Sequence, residues 1–212
     1  MINKNFFNIS KYYNNVLFES ENFIVIPSVG SLVKGWLLIL PKEYFLSFGL
    51  INNTKLYSEF KKLQHSVLDI LTKEFGSVVM FEHGPTIENS IVGCGVDYAH
   101  MHLVPLNINL LEESTSKMDL EWLVIDDISC TSQMALDHKP YLYFSDSKKH
   151  FMATSNEIPS QFFRRIIAEQ VGLENYWDWK KFDFKENILS TINCLKKYQE
   201  CGVRLNNKFD YV

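Results

Sequence analysis

The chain has only four cysteines, Cys94, Cys130, Cys194 and Cys201, and no two of them form a CxxC pair. That absence removes the usual thiol redox and metal-knuckle motifs and predicts a reducing, cytoplasmic setting. No N-terminal segment joins a basic start to an apolar run and a small-residue cleavage site, so a secretory leader is not expected. Long apolar runs are missing as well. Stretches such as residues 36–40 and 120–125 are far too short to cross a bilayer as a helix, and no membrane association is expected. Nor is there a surplus of positive charge: the formal net charge is -4 with both signs interspersed, so no broad basic field invites nucleic acid. Internal repeats and low-complexity segments are absent too.

What is present is enough apolar material, 46% of 212 residues, to bury a core as one domain or as one domain with an appendage. Residues 15–41 contain two aliphatic runs, FIVIP and LLILP, separated by a glycine-containing turn and each closed by proline; they predict an antiparallel hairpin. Between residues 53 and 75, Leu56, Phe60, Leu63, Val67, Leu71 and Phe75 recur at spacings of three and four, which predicts an amphipathic helix stopped by Gly76. SVVMFEHGP then reads as a strand, and a second strand is expected over residues 96–106.

Beyond residue 107, LLEESTSKMDL reads as loop, WLVID and PYLYFSD as strands, and PSQFFRRIIAEQVGL and ENILSTINCLKKYQECG as helices. The expected class is α+β, an antiparallel sheet with helices on one face, formed by residues 1–110 and joined by a mixed α/β extension over residues 111–212.

The candidate chemistry lies in GVDYAHMHLVPL. Residues two apart on a strand share a face, so Tyr98, His100 and His102 are expected to line one side together. Just upstream, Gly93, Cys94 and Gly95 form a turn whose backbone N–H groups can approach an anion closely, as phosphate sites require. FEHG ends the neighbouring strand and can bring polar side chains to the same end of the sheet. Bound zinc is the alternative reading of the two histidines, with His83 or Cys94 as a further ligand. A solvated helix face is the simple reading of Arg164 and Arg165, although paired arginines also suit bidentate phosphate recognition.

The order of these parts, a hairpin ending in GWLLILPK, a helix, FEHGP and then GCGVDYAHMHLVP, resembles the histidine triad superfamily of nucleotide hydrolases and transferases. Residues 15–107 carry the resemblance. It implies that His102 matches the third signature histidine, His100 the central one, and that Tyr98 stands where the first histidine is expected. It further implies that His100 is a nucleophile forming a nucleotidyl-histidine, that His102 contacts the phosphate, and that Tyr98 has a supporting role. Glu82 falls near a position where the superfamily places a phosphate- or ribose-contacting amide. The apolar nucleobase pocket is expected along the first strand of the hairpin, at Phe23, Ile26 and Pro27. A homodimer is implied, with the long helix as a candidate interface, and no metal or other cofactor is required. A nucleotide-binding module without turnover is the alternative function.

Overall fold

In the computed structural model, which describes residues 15–90, 92–93, 95–146 and 149–200, the expected hairpin forms with a short strand in front of it. Strand β1 is Phe18–Glu19, β2 is Phe23–Pro27 and β3 is Leu37–Pro41. Helix α1, Thr54–Phe75, begins where its apolar period begins. The Asn53 side chain accepts hydrogen bonds from the Lys55 and Leu56 N–H groups, and Gly76 ends the helix.

After α1 the chain forms β4, Val78–Gly84, and β5, Met101–Pro105. Strand β5 is shorter than the expected residues 96–106, for a specific reason. The Ala99 N–H bonds the Phe45 carbonyl at 2.7 Å, so the residues before His100 are bound to the chain following β3 instead of to a neighbouring strand.

The second half supplies α2 (Leu110–Lys117), β6 (Leu123–Ile125), α3 (Ser132–Leu136), β7 (Tyr141–Ser145), β8 (His150–Thr154), α4 (Phe162–Gln170) and α5 (Lys185–Glu200). LLEESTSK is therefore helical, not loop: the Asn109 side chain caps it, with Glu112 and Glu113 in the first turn and Lys117 in the last. Cys201 and Gly202, expected to end α5, lie outside the described residues.

All these strands join one eight-stranded sheet in the order β1-β2-β3-β5-β4-β7-β8-β6. Every pairing is antiparallel. The fold is α+β, and the three strands after residue 110 continue the first five through the β4–β7 pairing. One face carries Phe23, Val25, Leu37, Ile39, Met80, Met101 and Leu103 and is covered by Phe60, Leu63, Val67 and Leu71 of α1. On the other face, Val79, Phe81, Val104, Leu142 and Phe144 are covered by Phe162, Phe163, Ile166 and Ile167 of α4. The helix layer expected on one face is thus present, and the second half adds another on the opposite face.

Because α1 spends its apolar stripe on its own sheet, that stripe is not available as an interface between copies. No helix among the described residues is long and apolar enough to cross a membrane.

Candidate active site

Register places the candidate chemistry. His102 of β5 lies opposite Leu38 of β3 and Phe81 of β4, and Ile26 continues the same row on β2. Strand alternation then puts His83, two residues beyond Phe81, on the same face as His102. The rings of His100 and His102 lie 4.9 Å apart, edge to face, and His102 stacks on Phe81 at 4.3 Å. All three histidines are buried.

Hydrogen bonds fix which nitrogen of each ring carries the proton. His100 Nδ1 lies 2.6 Å from the Tyr98 carbonyl oxygen. A carbonyl only accepts, so Nδ1 donates, and in the neutral ring Nε2 keeps its lone pair. His102 is held the opposite way: Trp36 Nε1–H donates to His102 Nδ1 at 3.0 Å, which leaves the His102 proton on Nε2. His83 Nε2 accepts the Phe163 N–H at the start of α4, at 3.3 Å.

Burial holds the His100 imidazole below its ordinary value, opposed by its bond to the Tyr98 carbonyl. Burial also pushes His102 well below the usual range, and any charge taken up by His100 or His83, with that of Arg164, pushes the same way. His83 is driven down to about 3 by burial, then by His100 and Arg164. The cluster is therefore neutral near pH 7, one ring offering a lone pair and its neighbour an N–H.

Arg164 is not on a solvated face. It is 1% exposed, lies over the Trp36 ring at 4.7 Å, and donates to the carbonyls of Gly30 at 2.5 Å and Trp177 at 3.1 Å. Its charge is felt by both His83 and His102. Arg165 points outward and stacks on Trp177 at 3.4 Å.

Several expected site residues are placed elsewhere. Tyr98 is buried against Ile24, Ile26, Leu38 and Leu40, and its hydroxyl donates to the Pro41 carbonyl at 2.7 Å. It supports His100 through its main-chain oxygen, while its phenol bonds the chain that follows β3. The acceptor for the His100 Nδ1–H is accordingly this carbonyl. Glu82 alternates to the opposite face, where its carboxyl oxygens accept from Phe48 N–H and the Tyr141 hydroxyl. Burial pushes that carboxyl up to about 8 against both hydrogen bonds. Glu82 and His83 therefore serve different faces, and Glu82 meets no phosphate held by the histidines.

Phe23 is likewise a core residue on the α1 face, packed on Phe48 and Phe60, and Pro27, four residues along the strand, shares that face. Of the three proposed pocket residues only Ile26 lies on the histidine face.

The glycine turn lies beside the second half of the chain. The Gly93 carbonyl accepts from Gln161 N–H and the Ser160 hydroxyl, both at 2.9 Å. Gly95 adopts φ +73°, and a Cβ there would come within 2.6 Å of Lys180 Nζ. Cys94 lies outside the described residues. Among those described, no group of three or more His, Cys, Asp or Glu side chains is placed to hold a metal ion.

Sequence reading missed Trp36 and the burial of Arg164. The tryptophan sits in an apolar run that reads as core, and the arginine precedes a second arginine that is indeed exposed.

No protein-family profile and no curated protein matches the chain. Among solved structures it is similar to a hypothetical histidine triad nucleotide-binding protein from Sulfolobus tokodaii strain7, at 20% identity over 44% of this chain and 61% of that one, with a TM-score of 0.37. A Hit-like protein involved in cell-cycle regulation from Bartonella henselae is similar at 19% identity over 44% and 71%, with a TM-score of 0.35. Yeast Ap4A phosphorylase Apa2 is similar at 12% identity over 63% and 56%, with a TM-score of 0.40. The chain thus spans about three fifths of the first of these proteins and just over half of the yeast enzyme. Structures described as histidine triad proteins are therefore among those this chain is similar to, and theirs is the superfamily that its own sequence resembles.

Proposed function

We propose that the chain is a nucleotide hydrolase or nucleotidyltransferase that attacks the α-phosphate of a nucleoside phosphate derivative, such as a dinucleoside polyphosphate, with His100 Nε2. The observation that carries this reading is the pair of opposite tautomers, a lone pair on His100 beside an N–H on His102. In the first step the Nε2 lone pair forms a P–N bond while the bond from phosphorus to the leaving phosphate breaks, its electron pair departing with that oxygen. The imidazole becomes positively charged, and its Nδ1–H already points at the Tyr98 carbonyl, which stabilises that charge. His102 Nε2–H donates to a phosphoryl oxygen as negative charge gathers there. Water or another acceptor then attacks phosphorus and releases its proton to solvent, the P–N bond breaks, and its electron pair returns to Nε2.

No metal takes part in these steps. The setting is a reducing cytoplasm, in keeping with the unpaired thiols of Cys130 and Cys194. The homodimer implied by the resemblance has to use a surface other than the apolar stripe of α1.

The test is release of mononucleotide from dinucleoside polyphosphates, nucleoside phosphoramidates and nucleotide sugars, with His100→Gly as control. At least one class is expected to turn over, and His100→Gly to lose about a thousandfold or more. Because burial keeps His100 below its ordinary value, the rate should hold as pH falls through ~6.5 and decline only below it. Tight binding with no turnover of any class would replace this reading with the binding module.

A further inference from the structure

Glu82 faces away from the histidines, yet the main chain ties it to them. Its Oε1 accepts from Phe48 N–H at 2.8 Å, and its Oε2 accepts from the Tyr141 hydroxyl at 2.6 Å. The Tyr141 oxygen in turn accepts from Gly49 N–H at 2.9 Å. Together they fasten the Phe48–Leu50 turn to β4 and β7. The Tyr141 ring reaches this point because its partner across the β4–β7 pairing is Gly84, where a Cβ would lie 2.1 Å from Tyr141 Cζ.

The same stretch of chain, residues 41–51, holds the segment that carries the nucleophile. The Phe45 carbonyl accepts from Ala99 N–H at 2.7 Å, and the Pro41 carbonyl accepts from the Tyr98 hydroxyl at 2.7 Å. The Tyr98 carbonyl then takes the His100 Nδ1 proton. A continuous path of hydrogen bonds and backbone runs from the Glu82 carboxyl to the oxygen that selects the tautomer of His100.

We propose that Glu82 is a positioning residue for His100: it anchors Phe48 directly and Gly49 through Tyr141, and so fixes the 41–51 segment that keeps the Tyr98 carbonyl in line with Nδ1. Its importance for catalysis rests on the transfer reading above; its effect on the tautomer does not. Burying a carboxyl is costly when only two donors offset the lost solvation, and this one is placed where the offset is a fixed loop. His102 does not share the dependence, because Trp36, immediately before β3, holds it independently.

Long-range proton–nitrogen NMR spectra of the imidazole rings, recorded at pH 7 without nucleotide, test this. In the wild type His100 should show the Nδ1–H form and His102 the Nε2–H form. Glu82→Met, similar in length but unable to accept, should lower the ratio of Nδ1–H to Nε2–H at His100 by about tenfold and leave His102 unchanged. Glu82→Gln keeps an acceptor for Phe48 N–H and should restore the ratio. If Glu82→Met does not fold, Tyr141→Phe, which keeps the carboxyl and removes one tie, must shift His100 in the same direction. An unchanged His100 in a folded Glu82→Met or Tyr141→Phe protein overturns the proposal, as does an equal shift in the Gln and Met variants. Since no nucleotide is present, a failure here is distinct from a failure to find turnover.

Discussion

At position 98 the main chain and the side chain do different work. The carbonyl orients His100, a role that any residue can fill, while the phenol is buried and donates to the Pro41 carbonyl. A tyrosine at this position therefore leaves the orientation of His100 intact. Its own proton is tightly held: burial first, then the nearby Glu43 and Tyr44, push its pKa up to about 12. Tyr98→Phe should lower stability by about 1–2 kcal/mol, the cost of leaving a buried acceptor without its donor. Thermal or denaturant unfolding measures that loss, and turnover by the folded variant should fall by no more than about tenfold, because the Ala99 N–H bond to the Phe45 carbonyl still holds the segment before His100. A loss of rate much larger than this, at unchanged stability, would return the hydroxyl to the reacting groups.

Strands and helices with a strong period were legible in the sequence. The hairpin, α1, β4 and α4 follow from proline and glycine punctuation or from apolar spacing, and each forms close to its expected residues. The α2 helix was missed because only Leu110 and Ser114 are buried in it, so it has caps and charges but almost no apolar period. The segment HFMAT of β8 follows the polar cluster SDSKK and not the Asn-Gly or Asp-Gly pair that most strongly marks a hairpin, so its strand character is faint in the sequence.

At the site, alternation correctly joins His102 to one face. It does not reveal that β5 begins only at Met101, nor that Phe81 of β4 pairs opposite His102. That register decides that His83 joins the cluster and Glu82 leaves it, and register is a long-range property that no local pattern carries. The tautomer of His102 depends likewise on Trp36, a contact 66 residues distant in sequence.

For the molecule as a whole, the second half of the chain is part of the site's support. Strand β7 pairs with β4 over five residues, α4 covers Phe81, and Arg164 reaches back to the Gly30 carbonyl. A fragment ending at residue 110 would expose the β4 edge and the apolar surface around Phe81, Trp36 and Val104. It should show no cooperative unfolding transition, and a soluble fragment with a sharp transition would make residues 111–212 a true appendage. Transfer of a nucleotidyl group to His100 Nε2 is tested by rapid neutral quench of the protein with a substrate that turns over, followed by intact-mass measurement and peptide mapping. A mass increase of one nucleotidyl group, mapped to His100 and absent from His100→Gly, is the predicted result. Turnover with no such adduct, or with equal activity in His100→Gly, would contradict it.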